Sequence, residues 1–320
     1  MVEVAPTLSD IVTAERTIRP HVFPTIARRA DVLSARFGLE IFVKPENLQR
    51  TGSFKIRGAI NRVAELANSG ATSVATASAG NHGQGVAYAA AKYGMAATVV
   101  VPETASSAKI AALRRMGVGL LLHGRSFDDA QRAMLEMSGA SGAPVVSPYD
   151  AAVVAGQGTV GYEFVRDVPD LDVMLVPVGA GGLIAGCLIA AKQMRPDLRV
   201  IGVQAANSPS MVAALDAGRI VDVPIDPTLA DGLEGNIEGG ELPFAIIQRL
   251  VDDVQLVSED SIAEAMRMFV EDEHQIVEGA GAVGLALLIG GSLNLVGKRV
   301  GLVVSGGNVS RETLRSVLDV

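Results

Sequence analysis

The chain has 320 residues, 49% of them apolar, enough to bury a sizeable core in one large or two medium domains. Its net charge of −8, with no basic block, sets nucleic acid aside as a partner. The single Cys187 excludes an internal disulfide, and neither a membrane-spanning apolar run nor a signal-peptide core is present, so the chain reads as a cytoplasmic protein with no membrane partner.

Short apolar runs alternate with helical patterns along the chain. Residues 39–43 read as a strand, and 72–77 as a second strand followed by a small-residue helix over 84–92. A strand over 97–101 ends at Pro102, and a helix over 107–116 leads to a strand over 118–122. In the second half, a strand over 173–178 precedes a helix over 181–193, and residues 199–204 and 299–304 read as further buried strands. Strand–helix alternation with continuous apolar strands implies an α/β fold: open, mostly parallel sheets flanked by helices on both faces. Two sheets are expected, one within about residues 70–148 and one built from the remainder. Ligands in such folds lie outside the C-terminal ends of the strands. Cys187 sits inside an apolar helical run and reads as a packed core thiol.

Four short segments carry chemistry. Lys55, one of six lysines, lies between Phe54 and Ile56 in the string Thr51-Gly52-Ser53-Phe54-Lys55-Ile56-Arg57-Gly58. An amine in apolar surroundings loses part of its preference for the charged form and becomes a nucleophile near neutral pH. The plain alternative is a lysine at a helix start whose amine reaches water. Gly179, Ala180, Gly181, Gly182 and Leu183 link a strand to a helix, where consecutive backbone N–H groups form an anion site. A dinucleotide loop fails here, because Ile184 stands where a third glycine belongs and Gln204 where the ribose-binding acid is expected. Ser78, Ala79, Gly80, Asn81 and His82 form a second strand-to-helix turn, suited to a carboxylate. Asn81 alone would read as a helix cap. Ser305, Gly306, Gly307 and Asn308 follow the last strand. Glu278 is an acid inside a glycine-rich apolar stretch, where a helix-start role explains it as well as a catalytic one.

The segment from Pro45 to Ala59, with the three turns in this order, resembles the pyridoxal-phosphate enzymes of the tryptophan-synthase β-subunit fold, fold type II. More narrowly, it is similar to the serine/threonine dehydratase and serine racemase branch. The resemblance spans about residues 45–308. It implies two domains with pyridoxal 5′-phosphate in the cleft between them: a large domain of residues 1–69 and 149–320, and a small one of 70–148. It implies that Lys55, beside Phe54, holds the cofactor covalently, and that the turn from Gly179 to Leu183 cradles its phosphate. Asn81 would donate to the ring oxygen and Ser305 would face the pyridine nitrogen. The loop of Ser78, Ala79, Gly80, Asn81 and His82 would bind the substrate carboxylate. A homodimer is expected. With twelve residues after Asn308, the C-terminal regulatory domain of the allosteric members is not expected.

Four departures from that pattern shape the reading. Ala180 stands where the relatives usually have a fourth glycine, which would be strained if that position needs positive φ. Ala79 replaces the serine that serves the racemases as second proton donor. Gln204 and Ser210 replace two acids that hold a divalent metal in the racemases and many simple dehydratases, so no metal site is expected. Val22-Phe23-Pro24-Thr25 replaces the usual Arg-Thr-Pro-Leu. A serine at position 305 does not keep a proton on the ring nitrogen, which favours β-elimination over chemistry needing a long-lived carbanion. The expected activity is that of an ammonia-lyase converting a β-hydroxy-α-amino acid, L-threonine or L-serine, to a 2-oxo acid and ammonia. The alternatives are a dehydratase of another hydroxy or diamino acid, for example a hydroxyectoine-derived diaminobutyrate or phenylserine, or a serine racemase. A cofactor-free binding protein on the same fold would be expected to have lost Lys55 or Ser305.

Overall fold

The computed structural model describes residues 4–319. Nine strands form two sheets: β1 Arg28–Arg29, β2 Glu40–Pro45, β3 Ser73–Ala77, β4 Ala96–Val101, β5 Gly119–Leu122, β6 Val173–Pro177, β7 Arg199–Ala205, β8 Asp253–Val257 and β9 Arg299–Val304. The larger sheet has the order β1-β2-β9-β6-β7-β8 and the smaller the order β3-β4-β5. Only the two-residue edge strand β1 runs antiparallel to its neighbour. The ten elements expected from the sequence all form, with ends shifted by up to three residues. The largest shift is in the helix after β3, which begins at Asn81.

The sequence hides β8 for a physical reason. It is an edge strand and four of its five residues are partly or fully exposed, so the apolar run that marks β6, buried at every position, is missing. Helices such as Ala151–Asp167 and Gly279–Gly290 are buried nearly all round. They lack the one-sided periodicity that reveals a surface helix.

Adjacent parallel strands bring the chemistry-bearing turns to one edge. Pro45 pairs with Val304 and Leu175 with Leu302, so β2, β9 and β6 end side by side. The segments that leave them lead to Lys55, to Ser305 and to the 179–183 turn, at the C-terminal edge where such sheets bind ligands. Beneath this edge three helices pack in series: Lys55–Asn68 on Ala151–Asp167, and that on Gly182–Met194. The first contact is backbone against backbone. A Cβ on Gly156 would lie 2.6 Å from the Gly58 Cα, closer than any side chain allows. This contact sets the start of the Lys55 helix relative to the start of the Gly182 helix.

A buried ionic cluster fixes the same helix start. Arg57, fully buried, forks onto Glu46 through Nε and Nη2 at 2.7 and 2.8 Å. Its Nη1 and Nη2 also reach Glu163 at 2.7 and 2.8 Å. Glu163 takes a further bond of 2.7 Å from Lys44 Nζ. Burial alone would raise the Glu163 carboxyl, but Arg57 and Lys44 outweigh it and hold the group down at about 2.

Candidate active site

Lys55 is the first residue of its helix, and the segment before it is stitched to the turn after β9. Phe54 N–H donates to the Ser305 carbonyl at 3.0 Å, and Gly307 N–H to the Gly52 carbonyl at 2.9 Å. The Lys55 Nζ stands 5.2 Å from the Phe54 ring centroid. Desolvation lowers the amine to about 8, although the nearby Glu278 carboxylate acts the other way. A free lysine is almost wholly protonated at pH 8, whereas this one is half in the neutral, nucleophilic form.

The 179–183 turn has the geometry of an anion cradle. Gly181, at φ +96°, is the N-cap of the 13-residue helix Gly182–Met194, whose first N–H groups have no partner within the helix. Ala180 does not have positive φ; the left-handed residue of this turn is Gly181. The strain that an alanine at 180 could have caused is therefore absent. Any side chain at 181 would also meet the Ile247 Cδ1, at 2.5 Å from its Cβ.

On the smaller sheet, Gly80 caps the helix Asn81–Lys92 with its backbone and leaves Asn81 free for another task. Asn81 Nδ2 donates to Glu278 Oε1 at 2.8 Å, and its Oδ1 accepts from Asn308 Nδ2 at 2.7 Å. Asn308 N–H donates to the other Glu278 oxygen at 3.0 Å, and Asn308 Nδ2 also donates to the Thr51 carbonyl at 2.7 Å. This network ties the turn after β3 to the turns around Lys55 and Ser305. Glu278 occupies the N-cap position of Gly279–Gly290 without a side-chain cap bond, so the helix-start explanation does not account for it. Burial and Asp231 raise its carboxyl to about 7, against the lowering effect of the bonds from Asn308 and Asn81.

The remaining residues of the turn fall into place around this network. Ser78, Ala79 and Gly80 are half-buried, with Ser78 Oγ accepting from Gly80 N–H at 3.3 Å. The Ala79 methyl packs beside Val99, Val101 and Leu113. His82 is buried, its Nε2 lies 2.9 Å from the Val146 carbonyl, and burial and then Lys55 lower it to about 4. A neutral, packed histidine of this kind is not a general base at pH 7. Cys187 is buried and its thiol is pushed up to about 12 by desolvation, which leaves it inert.

These residues fit pyridoxal 5′-phosphate. A depressed-pKa lysine, a helix-start anion turn and the hydroxyl residue Ser305 gather at one edge of the larger sheet, and the Asn81 amide, with a second hydrogen to give, is bonded to Glu278 and Asn308 from the smaller one. The buried hydroxyls of Ser53 and Thr51, in the segment leading to Lys55, also have no partner within the protein. Sequence reasoning gave Asn308 no role and missed the segment 231–235. Gly232 in that segment lies beside Glu278, and its Leu233 covers Gly179. An asparagine directly after two glycines at the end of a buried strand was the available signal for Asn308. The 231–235 segment has no comparable mark.

Comparison with known proteins agrees with this geometry. Residues 18–306 match the family model described as pyridoxal-phosphate dependent enzyme. The L-threonine ammonia-lyase of Thermotoga maritima is 44% identical over 98% of this chain and 78% of its own length. The catabolic L-threonine dehydratase of Escherichia coli is 39% identical over 94% of this chain and 93% of its own. Among solved structures, maize serine racemase superposes with a TM-score of 0.92 at 31% identity, covering 99% of this chain and 98% of that one. Threonine deaminase isoform 2 of Solanum lycopersicum superposes with a TM-score of 0.89 at 33% identity, covering 99% and 95%. The chain belongs to the pyridoxal-phosphate-dependent enzymes of fold type II. Within that family it is a lyase of the threonine ammonia-lyase, or dehydratase, group.

Proposed function

We propose that this chain converts L-threonine, and more slowly L-serine, to the 2-oxo acid and ammonia. The observation that carries the reading is the Lys55 amine, lowered to about 8 and tied through Phe54 to the Ser305 turn. When bound, pyridoxal phosphate supplies the electron sink that acidifies the Cα proton of an amino acid joined to it. The rest is the work of the chain. Backbone N–H groups of Gly179, Ala180, Gly181, Gly182 and Leu183 would hold the phosphate. Asn81 would give its second amide hydrogen to the ring oxygen. Ser305 would face the ring nitrogen with a neutral hydroxyl, which makes the ring a weaker electron sink and favours β-elimination. The turn of Ser78, Ala79, Gly80, Asn81 and His82 holds the substrate carboxylate with its first-turn N–H groups. Lys55 would take the Cα proton of the bound substrate; an amine with a pKa near 8 is suited to this near neutral pH.

This reading carries with it a division into residues 1–69 with 149–320 and 70–148, a cytoplasmic location and a homodimer. Among the described residues, no helix is long and apolar enough to cross a membrane. The test is a panel of β-hydroxy and diamino acids, each scored for 2-oxo acid, ammonia and D-isomer. Threonine should give the highest kcat/KM for 2-oxo acid. A diamino acid leading the panel would move the substrate, and D-isomer as main product would move the reaction class.

A further inference from the structure

The C-terminal end of β7 carries a closed cluster of neutral polar side chains. Gln204, Ser208 and Ser210 are all fully buried. Gln204 Oε1 accepts from the backbone N–H groups of Met211 and Val212, each at 3.2 Å. That fixes the amide orientation, since the reverse would set an NH₂ group against two N–H donors. Gln204 Nε2 then donates to Ser210 Oγ at 3.3 Å, and Ser210 Oγ donates to the Gly235 carbonyl at 2.9 Å. Ser208 Oγ donates to the Leu233 carbonyl at 3.3 Å and accepts from Gly235 N–H at 3.1 Å. Donors and acceptors alternate along the chain of bonds, and none of the three side chains is left without a partner.

The cluster grips one segment, residues 231–235, and that segment bears on the cofactor turn. A Cβ on Gly179 would lie 3.1 Å from the Leu233 Cα, so Leu233 sits directly against the phosphate cradle. Asp231, at the other end, accepts from Lys109 Nζ at 2.9 Å. The resemblance implies that acids at 204 and 210 hold a divalent metal in the racemases and many simple dehydratases. That donor set is not present here. The Gln204 Nε2 hydrogen is directed at Ser210 Oγ, and a primary amide and a hydroxyl supply no anionic oxygen for a hard cation. Among the described residues, no three His, Cys, Asp or Glu side chains gather to hold a metal.

We propose that Gln204, Ser208 and Ser210 replace a structural cation in this chain: their hydrogen bonds hold the 231–235 segment against the Gly179 cradle, and the enzyme is indifferent to divalent cations. The proposal rests on the family reading only for the comparison with acidic relatives. Its readouts are melting temperature and cofactor affinity, so it can fail without the substrate assignment failing, and the reverse.

The experiment is a thermal melt of the holoenzyme in EDTA, followed by titration with MgCl₂, CaCl₂ and MnCl₂. The melting temperature of the wild-type protein should not move. Q204E/S210D sets two buried carboxylates face to face with no hydrogen between them, so it should melt lower in EDTA and recover saturably with cation. Ser210→Ala leaves the Gln204 Nε2 and the Gly235 carbonyl without partners. It should melt lower and bind pyridoxal phosphate several-fold more weakly by fluorescence titration, with no rescue by cation. A saturable rise of the wild-type melting temperature with any of the three cations overturns the proposal. So does a folded Q204E/S210D that ignores all three. If the double variant does not fold, Ser210→Ala decides: unchanged melting temperature and cofactor affinity would overturn the positioning role.

Discussion

Asn81 and Glu278 are joined side chain to side chain, Nδ2 to Oε1 at 2.8 Å, across the space between the two sheets. The carboxylate spends its other oxygen on Asn308 N–H, so it orients the Asn81 amide from a fixed base. One Nδ2 hydrogen is taken by Glu278, and in the proposed mechanism the second is for the cofactor. Glu278 is therefore a positioning residue in the proposed mechanism, acting through Asn81.

That relationship has a pH signature in the cofactor-free protein. The Glu278 carboxyl rises from 4.5 to about 7 on folding, mainly through burial. The folded protein thus holds a proton that the unfolded chain has released between those two values. Its contribution to stability is full below pH 4.5 and is lost as pH rises through 7. Glu278→Gln cannot titrate. The stability of the wild-type protein relative to Glu278→Gln should fall between pH 4.5 and 7 and level off above it. Chemical denaturation of both proteins across that range measures the difference. A flat difference would mean that Glu278 is ionised in the folded state throughout.

Arg57 should be far more sensitive than a surface arginine. Removing it leaves Glu46 fully buried without its cation and Glu163 with Lys44 alone, and breaking a buried pair in this way costs about 3–5 kcal/mol. Arg57→Met should lose that much in urea unfolding. Arg57→Lys should recover only part, because an ammonium cannot fork onto two carboxylates at once. Full stability in Arg57→Met would show that the cluster is not needed to hold the helix start at Lys55.

Lys55→Ala should abolish both the covalent cofactor absorbance and 2-oxo acid formation while leaving the fold intact. The amine contributes no ion pair to the core, and its removal relieves a desolvation penalty. Borohydride reduction of the wild-type holoenzyme and peptide mapping should place the label on Lys55. A label on any of the other five lysines would remove the foundation of the mechanism.

Sequence legibility followed local burial. The strands β6, β7 and β9 declare themselves as apolar runs because they are buried on both faces, and the turns after β6 and β9 carry glycines that announce backbone chemistry. The edge strand β8 and the all-round buried helices do not, since neither has a period to read. In the candidate site, Lys55, Asn81, Ser305 and the 179–183 turn stood out in the sequence because each lies in a compact local pattern. Glu278 was undervalued and Asn308 given no role because their meaning is a contact with Asn81, about two hundred residues away in the chain, which no local pattern encodes.

The choice between lyase and racemase turns on Ala79. Racemisation needs a proton removed from one face of Cα and another delivered to the opposite face. In the proposed mechanism Lys55 serves one face. The resemblance puts Ala79 on the other, and its methyl packs beside Val99, Val101 and Leu113 with no group that can carry a proton. Ser305 adds to this by shortening the life of the carbanion, so the β-hydroxyl leaves before a proton returns. From the L-substrate, 2-oxo acid should therefore far exceed the D-enantiomer when both are measured in one reaction by chiral chromatography and keto-acid assay. Ala79→Ser adds a hydroxyl at modest cost, because the site is half-buried. The variant should show a raised D-fraction with little change in melting temperature. Substantial D-product from the wild-type protein would show that another residue reaches the far face of Cα, and would reverse the choice of lyase over racemase.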